Sequence, residues 1–259
     1  MSVLSNQDVK RELGKNIFIS PFKLDNLKGG SINLTASKLG LSLKTKKSIY
    51  EASKNALVIP PNDTALVETE EAIYVNQKIG GSYHSKVTLV SQGVGHIGTT
   101  LDPGWIGPSL IALHNNSENE IRIPIGKSFV SIVFHYLKTK ASLQNTNNAA
   151  RPELLNDFFL SDEEKEWLDE DWRSHKGKLK EKMEIDVDYK KVKNEKNTKY
   201  ICFKSGFAIN IYLSVLCLIF FLICKNNMVT WDLDYKDFLA PILAVYLGST
   251  GGQLTHAFK

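Results

Sequence analysis

Short apolar runs broken by turn residues fill the first half of the chain. The segments 56–59, 64–75, 86–90, 109–113, 120–124 and 128–137 are rich in Val, Ile, Leu and Thr, and Pro60-Pro61, Gly80-Gly81 and Pro103-Gly104 punctuate them. Runs of this length and composition between Pro and Gly predict the strands of an all-β barrel or sandwich. In the last run, Ser128, Val130, Ile132, Phe134 and Tyr136 alternate with Phe129, Ser131, Val133, His135 and Leu137, so both faces are largely apolar. Such a strand is expected to be covered on both sides, by a core on one and by a subunit contact on the other.

After Asn145 the pattern changes. A polar stretch leads to Ser161 and Glu164, spaced as a capping box at a helix start. Leu168, Trp172, His175, Leu179 and Met183 then recur three and four residues apart. That stripe fits a seam packed between three copies, and it fits equally a single amphipathic helix lying on the barrel, with Gly177 weakening either. From Phe207 to Cys224 roughly 18 residues carry no charge, and a membrane-spanning helix needs about 17–25 such residues. A second apolar run, 238–256, is interrupted by Gly248-Ser249-Thr250-Gly251-Gly252. The expected layout is a β-barrel domain at 1–145, a charged helical linker at 146–205 and a membrane region at 206–257. That region would be a helical hairpin of 207–224 and 238–256.

Charge refines this picture. The net charge of +4 is too small to point to nucleic acid, and none is expected as a partner. Lys176, Lys178, Lys180, Lys182, Lys190, Lys191, Lys193, Lys196, Lys199 and Lys204 crowd the stretch before the apolar run. They read either as a solvated face or as a topological signal in contact with anionic lipid headgroups. The loop between the two runs is not basic, so the expectation is an inner or plasma membrane protein with its barrel facing the cytoplasm. Cys202, Cys217 and Cys224 all lie at or inside the apolar run and show no metal-ligand spacing, which argues against a disulfide framework. The first residues are polar and helix-like, unlike a secretory signal.

The most specific stretch is Leu101-Asp102-Pro103-Gly104-Trp105-Ile106-Gly107, expected as a buried turn with a carboxylate beside Pro-Gly and an aromatic ring behind it. It stands in order with Leu4 to Leu13, Gly30-Ser31-Ile32-Asn33-Leu34, Asp63 to Glu71, His84-Ser85-Lys86-Val87-Thr88-Leu89 and Pro124-Ile125-Gly126-Lys127 followed by Phe129 to Phe134. In this order and spacing the blocks resemble the dCTP deaminase/dUTPase superfamily over about the first 140 residues. The resemblance implies a mainly β, dUTPase-like distorted barrel, a homotrimer or higher oligomer, and nucleotide pockets between protomers.

It also implies roles for particular residues. Dividing them by chemistry, the deaminase's proton-moving glutamate falls at Ala112. General acid–base assistance is worth about 10²–10⁴-fold in rate, and alanine supplies none, so deamination is expected to be absent. His114, two residues on, has a shorter reach and a different angle. Asp102 stands where a dUTPase-type aspartate activates water, Trp105 where an aromatic lies against the deoxyribose, and Ser85 where a serine binds phosphate. Three positions depart from the pattern: Asn33 replaces the first-motif aspartate, His84 an arginine with Lys86 as a candidate substitute, and Ser131 the strand glutamine. No metal site of the protein's own is expected, only Mg²⁺ accompanying a nucleotide that is bound or hydrolysed.

Other readings of the same residues stay open. An Asp before Pro-Gly also caps its own turn by accepting backbone N–H groups. Gly93-Val94-Gly95-His96-Ile97-Gly98 lacks a strand-to-helix phosphate-loop context and reads as a hairpin connection. Gly248-Ser249-Thr250-Gly251 resembles a dUTPase tail, although small residues in an apolar run favour close helix packing. Three functions follow. The first is a membrane-anchored sensor or effector, for instance in antiphage defence, that binds a nucleotide or nucleotide-derived ligand without deaminating it. The others are a membrane-tethered dUTP/dCTP pyrophosphatase using Asp102, and a non-catalytic trimerisation scaffold.

Overall fold

The computed structural model describes residues 2–96, 98–142 and 154–198. Its strands are β1 (Ser2–Val3), β2 (Ile17–Ser20), β3 (Ile32–Ser42), β4 (Tyr50–Glu51), β5 (Ala56–Ile59), β6 (Thr64–Val75), β7 (Ile79–Ser85), β8 (Val94–His96), β9 (Thr100–Leu101), β10 (Ile106–Asn115), β11 (Ile121–Pro124) and β12 (Ser128–Tyr136). The helices are α1 (Asn6–Glu12), α2 (Val87–Val90), α3 (Asp162–Leu168), α4 (Lys176–Ile185) and α5 (187–198). The architecture is mainly β, as the apolar runs predict. One sheet runs β8-β10-β6-β3-β12-β7-β9, with β1 added to β12 and β2 to β6, and a smaller sheet runs β11-β5-β4. All these pairings are antiparallel.

Register irregularities bend the large sheet, between Ala36 and Gly40 on β3, Pro108 and Leu110 on β10, and Ser128 and Val130 on β12. Such irregularities increase local twist and let long strands curl around a core. That core holds Leu34, Ile73, Phe129, Ile132 and Phe134, all buried. On β12 only the Val130, Ile132 and Phe134 side is fully buried. Ser131, Val133 and His135 remain half-exposed.

The segment 86–90, expected as a strand, is instead a short helical turn. Lys86 O accepts the N–H groups of both Leu89 and Val90, and only Leu89 turns inward, leaving Val87 at 82% exposure. β-branched composition favours a strand only where a neighbour offers a pleated surface to pack on, and β7 has already ended at Ser85. The Gly93 connection does lead into a strand, β8, paired with β10. Among the described residues no helix is long and apolar enough to cross a membrane. The expected spans 207–224 and 238–256 lie outside the described residues.

Residues 154–198 pack directly on the β-sheet. Ser161 and Glu164 form the predicted capping box at the start of α3. Leu179 and Met183 are fully buried and belong to the main core, so of the two arrangements open to that stripe the helix lies on the barrel. Asp186 accepts the N–H of Phe22 at 2.8 Å, and Asp188 that of Leu24 at 2.9 Å. Leu155 and Phe158 form a second cluster with Leu39 and Leu41, against which Leu66, Leu110, Trp167 and Leu168 pack.

An ion pair pins this layer. Arg173 donates to Glu68 on β6 at 2.6 Å, and both side chains are almost wholly buried. Trp167 Nε1 donates to the same carboxylate oxygen at 2.7 Å, and the guanidinium lies 4.3 Å from the Trp167 ring centroid. Burial pushes the Glu68 carboxyl upward, while Arg173 and Trp167 pull it back. Removing one partner of a buried pair strands the other's charge, which costs about 3–5 kcal/mol. Arg173→Ala is therefore expected to lower the urea-unfolding midpoint of the full chain in mild detergent by a corresponding amount. Replacing both Glu68 and Arg173 with Met should recover much of the loss. A change below about 1 kcal/mol in Arg173→Ala would show that the pair does not hold this layer.

Candidate functional site

The register of β12 between its neighbours assembles one polar face. Ser131 lies directly opposite Asn33 on β3 and opposite His84 on β7. Residues directly opposite in an antiparallel pair project to the same side, and every second residue along a strand returns to it. The next row along is therefore Val133, Ser82 on β7 and Thr100 on β9. A third row holds His135 and Gly80 and, one residue beyond the β7–β9 pairing, Asp102. The first row covers roughly 10 Å across three strands, and Ser131 to His135 spans about 13 Å. A Cβ at Gly80 would meet His135 Nε2 and the Leu101 carbonyl at 3.4 Å, in ordinary van der Waals contact.

One corner of the face is cationic. Lys86, just past the end of β7, donates through Nζ to Asn33 Oδ1 at 2.7 Å. Ser131 Oγ donates to the same oxygen at 2.9 Å. The acceptor is a neutral amide, so these bonds orient the ammonium without cancelling its charge. Burial, and then the charge of Lys28, hold the Lys86 pKa below its ordinary value. A desolvated cation beside a second lysine is favourable ground for an anion.

The opposite corner carries Asp102. Its turn is closed by the backbone, with Trp105 N–H donating to Asp102 O at 3.1 Å and Gly104 N–H to Asn76 O at 3.3 Å. Gly104 has φ +82°, which glycine adopts without steric penalty. The Asp102 side chain is exposed, and Thr100 Oγ1 at 3.5 Å is its sole hydrogen-bond neighbour among the described residues. The expectation of a buried turn is thus half right: Trp105 is buried and the carboxylate is not. The alternative in which Asp102 caps its own turn through its side chain is not what the structure shows.

Not every expected residue joins the face. Ser85 pairs with Val130, which puts it on the other side of β7 from His84. Trp105 is 9% exposed, packs in the main core and donates Nε1 to Gly107 O at 3.0 Å, so little more than an edge of the indole is available. His84 is exposed, with Nε2 3.0 Å from Ser82 Oγ. Ser82, Thr100 and His135 belong to the face and were not singled out from sequence. Alternation along β7 would have flagged Ser82, had its register been known.

Ala112 lies elsewhere. It sits on β10 in a row with Leu66 on β6 and Leu41 on β3, at the margin of the apolar cluster that residues 154–168 cover. The neighbouring titratable group, His114, has Nδ1 2.7 Å from Thr64 Oγ1. The side chains also fail to make a Mg²⁺ cage. Asn33 Oδ1 already accepts two hydrogen bonds and faces an ammonium, and Asp102 contributes one carboxylate at the far corner. Among the described residues no group of three His, Cys, Asp or Glu side chains converges.

Behind the face, Glu71 on β6 is buried and bonded to Thr35, two residues along β3 from Asn33. Thr35 N–H donates to Glu71 Oε2 at 2.8 Å. Thr35 Oγ1 lies 2.8 Å from both Glu71 Oε1 and Glu70 Oε2, and Glu70 also holds Lys23 at 3.0 Å. A hydroxyl has one hydrogen. With Thr35 donating to Glu70, the second contact is a hydrogen bond when the Glu71 carboxyl keeps its proton and donates to Thr35. Burial supports this by raising the Glu71 pKa to about 7.

Residues 3–137 match the family model described as "dCTP deaminase-like". The chain belongs to the dCTP deaminase-like family. It is 30% identical over 127 residues to a dCTP deaminase of Thermococcus sibiricus, covering 49% of this chain and 80% of that protein. The figures for a dCTP deaminase of Pyrococcus furiosus are 29% over 131 residues, 50% and 82%. The 2′-deoxycytidine 5′-triphosphate deaminase structure from Agrobacterium tumefaciens aligns with a TM-score of 0.44 at 11% identity, covering 52% of this chain and 48% of that one. The structure of EIAV dUTPase gives a TM-score of 0.36 at 17% identity, with 49% and 93% covered. The family match ends at residue 137, before the layer of residues 154–198.

Glu71 makes stability depend on pH. Its folded pKa, about 7, lies above the ordinary carboxyl value of 4.5. The folded state therefore holds a proton that the unfolded chain releases, and stability falls as pH rises through that window. The full effect is on the order of 3 kcal/mol. Glu71→Gln can reproduce both hydrogen bonds to Thr35 without titrating. It is expected to flatten the decline between about pH 4.5 and 7 and to be more stable than wild type at pH 8. Thermal melts across that range decide it; parallel curves for the two proteins would contradict the assignment.

Proposed function

We propose that the dCTP deaminase-like domain binds a nucleotide by its phosphates at the Lys86 corner of the β3–β12–β7 face and does not deaminate it. One observation carries the reading: a partly buried ammonium bonded to the Asn33 amide that Ser131 also holds, with no carboxylate paired to it among the described residues. The kinship with dCTP deaminases supports a deoxycytidine or deoxyuridine nucleotide as the ligand class. Mg²⁺, where present, would ride on the phosphates. Loss of deamination is supported by Ala112, which has no group able to move a proton, and by His114, which is tied to Thr64.

The remaining parts of the proposal concern assembly and place. The half-exposed Val133 within the face and the exposed Val87 and Val90 beside Lys86 give apolar surface that further copies of the chain would cover, as in a homotrimer. The uncharged run 207–224 would anchor the assembly in a bilayer with the barrel on the lysine-rich, cytoplasmic side. In this arrangement ligand binding at the barrel would be sensed next to a membrane.

Pyrophosphohydrolysis is the second reading, and the exposed Asp102 carboxylate favours it. Isothermal titration of the full chain in detergent with dCTP, dUTP, the other dNTPs and cyclic nucleotides separates these ideas. Binding of at least one triphosphate is expected. Lys86→Ala should weaken it about ten- to a hundredfold, the effect of losing a charged hydrogen bond worth roughly 1.5–3 kcal/mol. Failure of every nucleotide to bind would sink the proposal. Pyrophosphate release that Asp102→Asn abolishes would establish the second reading.

A further inference from the structure

α5 is held rigidly against α1, and this fixes which of its side chains look outward. Tyr189 and Val192 are buried in the main core. Lys10 on α1 pairs with Glu195 at 3.0 Å, and Lys196 donates to the carbonyl of Leu13 at 2.8 Å at the end of α1. An exposed stripe away from Tyr189 and Val192 carries Val187, Lys190, Asn194 and Asn197; Lys193 flanks it and is exposed too, and Ile185 is exposed just before the helix. Val187 is 69% exposed and Ile185 67%.

The lysines of this stretch do not share one role. Lys176 lies over the Tyr74 ring and Lys182 over Trp172, while Lys178 bonds to Asp171 and Lys191 to Asp188. Lys190 and Lys193 have no carboxylate partner among the described residues. Lys15 is exposed on the same end of the molecule, close enough to Lys196 that its charge, after burial, lowers the Lys196 pKa. Two lysines without an ion pair among the described residues, a third close to Lys196 and two branched apolar side chains are thus all exposed on or beside this helix. In the sequence α5 ends nine residues before the uncharged run that starts at Phe207.

We infer that this outward side of α5, with Lys15, is a docking surface for an anionic lipid headgroup layer: Lys190, Lys193 and Lys15 meet phosphates while Ile185 and Val187 enter the interface. The inference deepens the membrane part of the proposed function and rests on it. Charge complementarity selects the partner. A lysine near an anionic leaflet gains about fivefold in binding, and apolar side chains beside basic ones suit an interface that is part hydrocarbon and part headgroup. Nucleic acid, the other polyanion, offers nothing for exposed Ile and Val.

Amine footprinting of the full chain tests the idea. The chain is reconstituted into vesicles of phosphatidylcholine alone or mixed with phosphatidylglycerol, recovered by flotation, acetylated briefly and read by mass spectrometry. Lys44, after β3 and beside the Thr64 end of β6, is the internal control, since β2 and α1 lie toward the Val75 end. The expected result is phosphatidylglycerol-dependent protection of Lys190, Lys193 and Lys15 relative to Lys44, on the order of fivefold and reversed by high salt. Lys190→Glu with Lys193→Glu should float like wild type yet lose the protection at Lys15. Equal labelling in both floating preparations overturns the docking surface and leaves the anchor standing. Flotation only with phosphatidylglycerol, released by salt, supports the surface and overturns the anchor. Failure to float with either vesicle overturns both, and equal protection by duplex RNA in detergent assigns the face to nucleic acid and overturns it.

Discussion

The pairing of β12 with β3 on one side and β7 on the other is the constraint on which the candidate site depends. It sets Ser131 opposite both Asn33 and His84, and a slip of β12 by one residue would turn Ser131 to the other side of the sheet from both. The slip is prevented because Val130, Ile132 and Phe134 fill the core from the same strand. Core packing therefore supplies the precision of the polar face: apolar residues hold the register, and the register positions the amide that orients Lys86. Asn33 matters here for what it lacks. An aspartate in its place would form an ion pair with Lys86 and neutralise the corner, whereas the amide leaves a positive charge for a phosphate.

The side of the curled sheet that faces away from the main core is put to two uses. One part carries Asn33, Ser131, His84, Ser82, Thr100 and Asp102. Another, where Leu41, Leu66 and Leu110 lie, is covered by residues 154–168 and pinned through Glu68 and Arg173. Ala112 falls at the edge of that covered region. The residue that resemblance would assign to proton transfer has become a small apolar neighbour of a packing surface. An alanine at that position and a layer packed over its neighbours support the proposal of a domain that holds its ligand and does not deaminate it.

Strands β5, β6, β11 and β12 are legible in the sequence because each is an apolar or alternating run with Pro or Gly at its edge. β7 is not, since Gly80, Gly81 and Ser82 give it no apolar rhythm; its order comes from β12. The helical turn at 86–90 misleads in the opposite direction, with strand-like composition and no strand beside it. Asn33, Ser131, Lys86 and His84 were legible as site residues through motif order alone. Their convergence, and the withdrawal of Ser85 and Trp105, depend on registers that no single strand reveals. Glu68 and Arg173 are 105 residues apart, and nothing local marks either as the other's partner.

The central claim is that the domain retains a nucleotide unchanged. Its most direct measurement is the fate of the ligand. The full chain in detergent is incubated with each deoxynucleoside triphosphate in turn, separated from free ligand, denatured, and the released nucleotide resolved by ion-exchange chromatography. The account predicts that at least one triphosphate travels with the protein and that dCTP is never recovered as a uracil nucleotide. Conversion of dCTP to dUTP or dUMP, or retention of no nucleotide at all, would contradict it.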